Sequence, residues 1–102
     1  MNHDRLQQLN ESAEKASNFL KSVGNAQRLR LLCLMMEKER PVGELAEAVG
    51  LAQSAVSQHL ARMRQEGLIK SRRDRQTIYY ALADRKVVKL IKLLESLFCA
   101  PA

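Results

Sequence analysis

Two sets of residues in this chain have types and spacings that can do chemistry. Gln53, Ser54, Ser57, Gln58 and Arg62 fall on a stretch whose apolar positions, Val56, Leu60 and Met63, recur at spacings of four and three. At about 100° per residue, a helix that buries this stripe turns Ser54, Gln58, Ala61, Arg62 and Gln65 outward and leaves Ser57 at the flank. Serine hydroxyls and glutamine amides both donate to and accept from base edges. A small Ala61 permits close approach or touches a thymine methyl, and arginine reaches phosphate or guanine. Shortly downstream, Arg72, Arg73, Arg75 and Gln76 share one turn. Three guanidinium groups so close repel one another unless an anion receives them, which points to phosphates or a minor groove.

The second set is a pair of thiols. Cys33 and Cys99 stand 66 residues apart with no Cys-x-x-Cys spacing, which excludes a local zinc knuckle or a thioredoxin-type motif. By residue type alone, Cys33 amid leucines reads as a small buried hydrophobe and Cys99, at the end of the last helix, as incidental. His59, at the edge of the apolar stripe, reads as a structural histidine, and His3 falls near the chain start. The segment PVGELAEAV has no cysteine, and the last stripe has Asp84 and Glu95 but no histidine, so no metal site is expected. There is no Gly-rich phosphate loop, no recognisable pair of catalytic carboxylates and no Cys/His pair with an orienting group. The chain is therefore expected to be neither an enzyme nor a cofactor carrier.

The charge is unevenly placed. Residues 1–52 hold seven Lys/Arg and seven Asp/Glu, whereas residues 53–102 hold ten against four, so the whole excess of +6 lies beside the polar stretch. Such asymmetry favours a polyanionic partner, here duplex DNA, because two tyrosines make no stacking platform for single strands. Apolar content of 46% suits a folded domain, and 102 residues suit one domain over 1–102 whose modest core a second subunit would extend. The longest apolar run, Leu31 to Met36, is far shorter than a bilayer span, and Met1 to Arg5 leads into no signal-peptide core. A cytoplasmic location without membrane contact is expected.

These residues need a scaffold. Leu6, Leu9, Ala13, Ala16, Leu20 and Val23 form a narrow helical seam, placing a first helix at about 4–23. A second helix, apolar on most sides, carries Leu29 to Met36. Pro41 starts a third, with Leu45, Ala46 and Val49 on one face, which closes at Gly50. The fourth runs from about Gln53 to Gln65, and Gly67 caps it. Leu68–Arg73 and Thr77–Leu82 are β-prone runs joined by Asp74, Arg75 and Gln76. Asp84 can cap a last helix, about 85–99, with Val87, Leu90, Ile91, Leu94, Leu97 and Phe98 on one stripe. The expected fold is mainly α with a small β-hairpin, in the order ααααββα. It is a winged helix-turn-helix, with the helix-turn-helix at about 42–66, the wing at about 68–82, and a dimer through the first and last helices.

The segment PVGELAEAVGLAQSAVSQHLARMRQEGLIKSRRDRQTIYYAL closely resembles the ArsR/SmtB family of bacterial winged-helix repressors. The resemblance covers residues 18 to 99, and its most specific pieces are NAQRLRLLCLM, QSAVSQHLARMRQEGLI and RRDRQTIYY. It implies a homodimer through the first and last helices and repression at a DNA operator. One departure is Ala52, where such repressors often have a serine cap; its absence weakens the helix start by roughly 1 kcal/mol, partly offset if Gln53 or Ser54 substitutes. Cys33 and Cys99 resemble the pair of the family's dithiol branch, the BigR, SqrR and HlyU type. That likeness implies release of DNA when reactive sulfur species or oxidants bridge the two sulfurs as a di-, tri- or tetrasulfide. The alternatives are a constitutive regulator or anti-silencer with no thiol switch and, less favoured, a metal-responsive repressor.

Overall fold

The chain enters its first helix through Asn2, whose side-chain oxygen accepts from the Arg5 N–H at 2.8 Å. The computed structural model describes residues 2–99, so the extreme ends of the expected 1–102 domain lie outside the described residues. Helix α1 spans His3–Val23. Residues 3 to 18 are all exposed; Val23 alone is buried, and Phe19 rests half-buried on the core. The apolar seam read from the sequence is present, but among the described residues nothing covers Leu6, Leu9 or Leu20, which stay 50%, 45% and 56% exposed.

Asn25 ends α1 and starts α2 (Ala26–Glu37), accepting from the N–H groups of Gln27 and Arg28. Leu31, Leu32 and Met35 go into the core. The helix is less evenly apolar than its composition suggests, for Leu34 and Met36 are half-buried and Cys33 is exposed. Next comes β1 (Arg40–Pro41), a strand the sequence pattern does not signal. It pairs antiparallel with Tyr80 and Tyr79, so the expected hairpin becomes a three-stranded sheet of order β1-β3-β2. Its position at the sheet edge accommodates Pro41, which has no N–H for the ladder.

Helix α3 (Val42–Val49) buries Leu45 and Ala46 and stops at Gly50, whose φ of +72° suits glycine. Helix α4 (Gln53–Gln65) has the limits expected of it, and Val56, Leu60 and Met63 are completely buried. Each such side chain contributes about 1.5–3 kcal/mol on leaving water. At its end Gly67, at φ +79°, donates to the Arg64 carbonyl at 3.0 Å, while the Leu68 N–H reaches the Met63 carbonyl at 2.9 Å. This Schellman closure passes the chain straight into β2 (Ile69–Asp74). Strand β3 (Thr77–Leu82) returns antiparallel, and α5 (Arg85–Phe98) follows, capped by Asp84 accepting from the Lys86 N–H at 2.8 Å.

One apolar cluster joins α2 to α5 and the sheet, with Val87 and Ile91 of α5 fully buried in it. Leu97 and Phe98, on the same stripe, remain 61% and 78% exposed. The one charged residue in the interior, among the described residues, is Arg28. Its Nη1 donates to the Ser22 carbonyl at 3.0 Å and its Nε to His59 Nδ1 at 3.4 Å. His59 thus has the structural role its place on the stripe implies, joining α4 to Arg28 of α2 and through it to the end of α1. No helix among the described residues is long and apolar enough to cross a membrane.

Candidate nucleic-acid interface and thiol pair

Burial of Val56, Leu60 and Met63 fixes the rotation of α4, and Gln53, Ser54, Ser57, Gln58, Ala61, Arg62 and Gln65 are all exposed as a result. This is the polar face anticipated from helical spacing. Gln53 leans back toward α3, its Nε2 lying 3.4 Å from where a Cβ on Gly43 would stand. Arg62 donates from Nε to Glu66 Oε1 at 3.2 Å, yet its side chain stays 65% exposed. The helix begins at Ala52 with no side-chain cap, and among the described residues neither Gln53 nor Ser54 supplies the missing acceptor. Its first-turn N–H groups are therefore free to meet an anion.

The wing divides its arginines between two faces. In the β2–β3 register Arg72 lies opposite Tyr79 and Arg73 opposite Ile78, so the two guanidinium groups leave the ribbon on opposite sides. Arg73, Arg75 and Gln76 are exposed at the tip, where Arg73 Nε donates to the Arg75 carbonyl at 3.0 Å. Arg75 has φ +60°, a left-handed conformation that an L-residue with a side chain adopts at a cost. Arg72 is engaged within the chain. Its Nε donates to Glu39 Oε2 at 2.9 Å, its Nη2 to Oε1, and its guanidinium lies 4.7 Å over the Tyr79 ring. The hydrogen bond from Arg72 holds the Glu39 carboxyl below the usual carboxylate range, and the same bond raises Arg72. Of the two tyrosines, Tyr80 is the one turned to the core.

Cys33 and Cys99 are both exposed, and both line a groove of about 390 Å³ between α2 and α5. Its other walls are Leu29, Ile91, Leu94 and Phe98, with Glu95 at the rim. Burial against these walls pushes the Cys33 thiol up, helped by the negative charge of Glu95, by Cys99 and by Glu37. The thiolate is the reactive form of cysteine, so Cys33 is quieter at neutral pH than a free thiol. Among the described residues, no group of three or more His, Cys, Asp and Glu side chains is placed to hold a metal ion.

Folding has brought the polar face of α4 and the arginine-bearing wing to the two ends of the Gly67 joint, and the two cysteines to one groove. Two partners escaped sequence reasoning. Glu39 lies 33 residues from Arg72, and Arg28 carries a charge that periodicity assigns to the surface.

Residues 25–71 match the family described as "Bacterial regulatory protein, arsR family". The chain is 42% identical over 94 residues to the transcriptional activator HlyU of Vibrio cholerae, covering 92% of this chain and 87% of that one. It is 34% identical over 98 residues to the biofilm growth-associated repressor of Xylella fastidiosa, covering 96% and 86%. Against the structure of reduced HlyU from Vibrio cholerae the TM-score is 0.87 at 40% identity, over 92% of this chain and 99% of that one. These relatives are named as regulators of transcription, not enzymes. The three-stranded sheet and five helices match their winged helix-turn-helix architecture, and the chain belongs to the arsR family of bacterial transcriptional regulators.

Proposed function

We propose that the chain is a dimeric operator-binding repressor whose affinity for DNA falls when Cys33 and Cys99 are bridged. The observation that carries the DNA reading is the exposed face of Ser54, Ser57, Gln58 and Arg62, held by a buried stripe one glycine joint away from the tip arginines. A helix of this size enters a major groove about 12 Å wide, where Ser54, Ser57, Gln58 and Arg62 meet base edges and Gln53 the flanking backbone. Arg73, Arg75 and Gln76 meet phosphates or the adjacent minor groove. Arg72, the remaining wing arginine, is held by Glu39.

Dimerisation supplies the second half-site. Leu6, Leu9 and Leu20 on α1, with Leu97 and Phe98 on α5, are a long apolar surface that a second copy covers. A twofold dimer calls for a pseudo-palindromic operator with half-sites about one helical turn apart. Such a regulator works in the cytoplasm, on the DNA itself.

The thiol reading rests on the shared groove. With a persulfide donor, the Cys33 sulfur takes the donor's outer sulfur and releases the donor as a thiol. Cys99 then displaces hydrogen sulfide from that persulfide, forming the sulfur–sulfur bond. An oxidant reaches the same bridge by removing two electrons and two protons. Either bridge ties α2 to the end of α5 and alters the dimer geometry that spaces the two recognition helices.

Operator titrations by mobility shift test both readings. Gln58→Ala is expected to change the preference among operator variants, and unchanged discrimination refutes the face assigned to α4. Persulfide donors are expected to weaken binding by the wild type but not by Cys33→Ser or Cys99→Ser. Equal weakening in all three refutes the Cys33–Cys99 switch, and no weakening in any of them leaves a constitutive regulator.

A further inference from the structure

We propose that Glu39, Arg72 and Tyr79 form a strap across the outer face of the sheet, which withholds Arg72 from DNA phosphates and sets the pitch of the wing. Arg72 is then a positioning residue, and Glu39 decides how many wing arginines reach the duplex. The inference rests on the DNA reading above.

The strap follows from strand order. Glu39 immediately precedes β1, at one edge of the sheet, while Arg72 belongs to β2, at the other. Tyr79 lies on the central strand β3, directly opposite Arg72 in the ladder. The Arg72 side chain therefore crosses the middle strand, over the Tyr79 ring at 4.7 Å, to reach a carboxylate on the far side. Two nitrogens of the guanidinium meet the two oxygens of one carboxylate, a fork geometry that lysine cannot reproduce. Lys70 and Ala81, the next pair on this face, complete a hollow of about 210 Å³ around the strap.

The arrangement has two mechanical effects. A guanidinium already held by a carboxylate and a ring has to give up both to neutralise a phosphate, whereas Arg73, on the opposite face, gives up one bond to a backbone carbonyl. The strap also joins the otherwise two-residue edge strand to the hairpin by an interaction outside the backbone ladder, resisting tilt of the wing relative to α2 and α3.

Salt-dependent operator binding separates a phosphate-neutralising arginine from a positioning residue, because the slope of log K against log salt falls by about 0.9 for each phosphate that goes unneutralised. Arg73→Gln is expected to lower the slope by about 0.9. Arg72→Gln and Arg72→Lys are expected to weaken binding several-fold at unchanged slope. Glu39→Gln, which frees Arg72, is expected to steepen the slope by about 0.9. The strap is overturned if Arg72→Gln lowers the slope as Arg73→Gln does, or if Glu39→Gln leaves it unmoved. Absence of operator binding, or of any salt response, in the wild type sinks the DNA reading instead. The strap is then judged without DNA, by exchange of the Arg72 Nε–H in nitrogen-15 spectra. Slow exchange that becomes fast in Glu39→Gln supports it, and fast exchange in the wild type overturns it.

Discussion

Replacing Arg75 by glycine is expected to make the protein more stable and a poorer DNA binder, two effects that ordinary damaging substitutions do not combine. Arg75 is the first of two residues in the β2–β3 turn and sits at φ +60°. A side chain in that left-handed region costs roughly 1–2 kcal/mol through contact of Cβ with the following carbonyl. Glycine removes that cost but adds freedom to the unfolded chain worth about 0.5–1 kcal/mol. The central values leave a net gain of about 0.75 kcal/mol, and in a domain of this size 1 kcal/mol corresponds to roughly 4–8 °C in Tm. A rise of about 3–6 °C is therefore expected. The turn's own hydrogen bond survives, because Arg73 donates to the backbone carbonyl of residue 75, not to its side chain. At the same time one cation leaves the tip, and the salt slope of operator binding is expected to fall by about 0.9. Melting followed by circular dichroism at matched subunit concentration, paired with operator titrations at several salt concentrations, reads both quantities. A variant that melts lower than wild type refutes the strain. A variant that melts higher with unchanged slope refutes the contact with DNA.

Two further substitutions probe the helices. Glu95→Gln removes the carboxylate that acts most strongly on Cys33, so alkylation of Cys33 by iodoacetamide, followed by mass spectrometry, is expected to accelerate at neutral pH; an unchanged rate means that burial alone quiets the thiol. In the wild type, Cys33 alkylation is expected to rise with pH through a midpoint above the ordinary thiol value of about 8.5. Because the folded thiol titrates above the unfolded one, its contribution to stability is present below the unfolded pKa and is lost as pH rises through the folded pKa, a loss that Cys33→Ser abolishes. Ala52→Ser supplies the cap that α4 lacks and is expected to add about 1 kcal/mol of stability in denaturant unfolding; no gain means the first turn is already satisfied another way.

The parts of this molecule that repeat were legible from its sequence. The three-and-four spacing of Val56, Leu60 and Met63 marked α4 to the residue, because burial of one stripe dictates both the rotation of a helix and the face it shows. Asp84 and Gly67 announced a start and a stop for the same reason, each doing a backbone task open to few residue types. Strand β1 left no trace, since two residues cannot show a period and their pairing is supplied by the backbone of Tyr79 and Tyr80. The engagement of Arg72 was equally hidden. Three clustered arginines read as three free cations until the fold brings Glu39, remote in sequence, across the sheet. Arg28 misleads in the opposite direction: its charge suggests solvent, but the end of α1 and His59 give it partners inside. Cys33, flanked by leucines, is exposed because α2 is covered by α3, α5 and the sheet on some sides only.

The closure at Gly67 leaves no slack between the helix proposed to enter one groove and the hairpin proposed to reach the next. Two points of engagement on a stiff frame act as a caliper. Duplexes whose local width or twist does not suit that fixed opening have to be deformed to fit, and stiff sequences resist deformation more than flexible ones. Base pairs that no side chain touches would thereby influence where the protein settles, and lengthening the joint by even one residue would blunt that sense of shape while leaving the hydrogen-bonding groups in place.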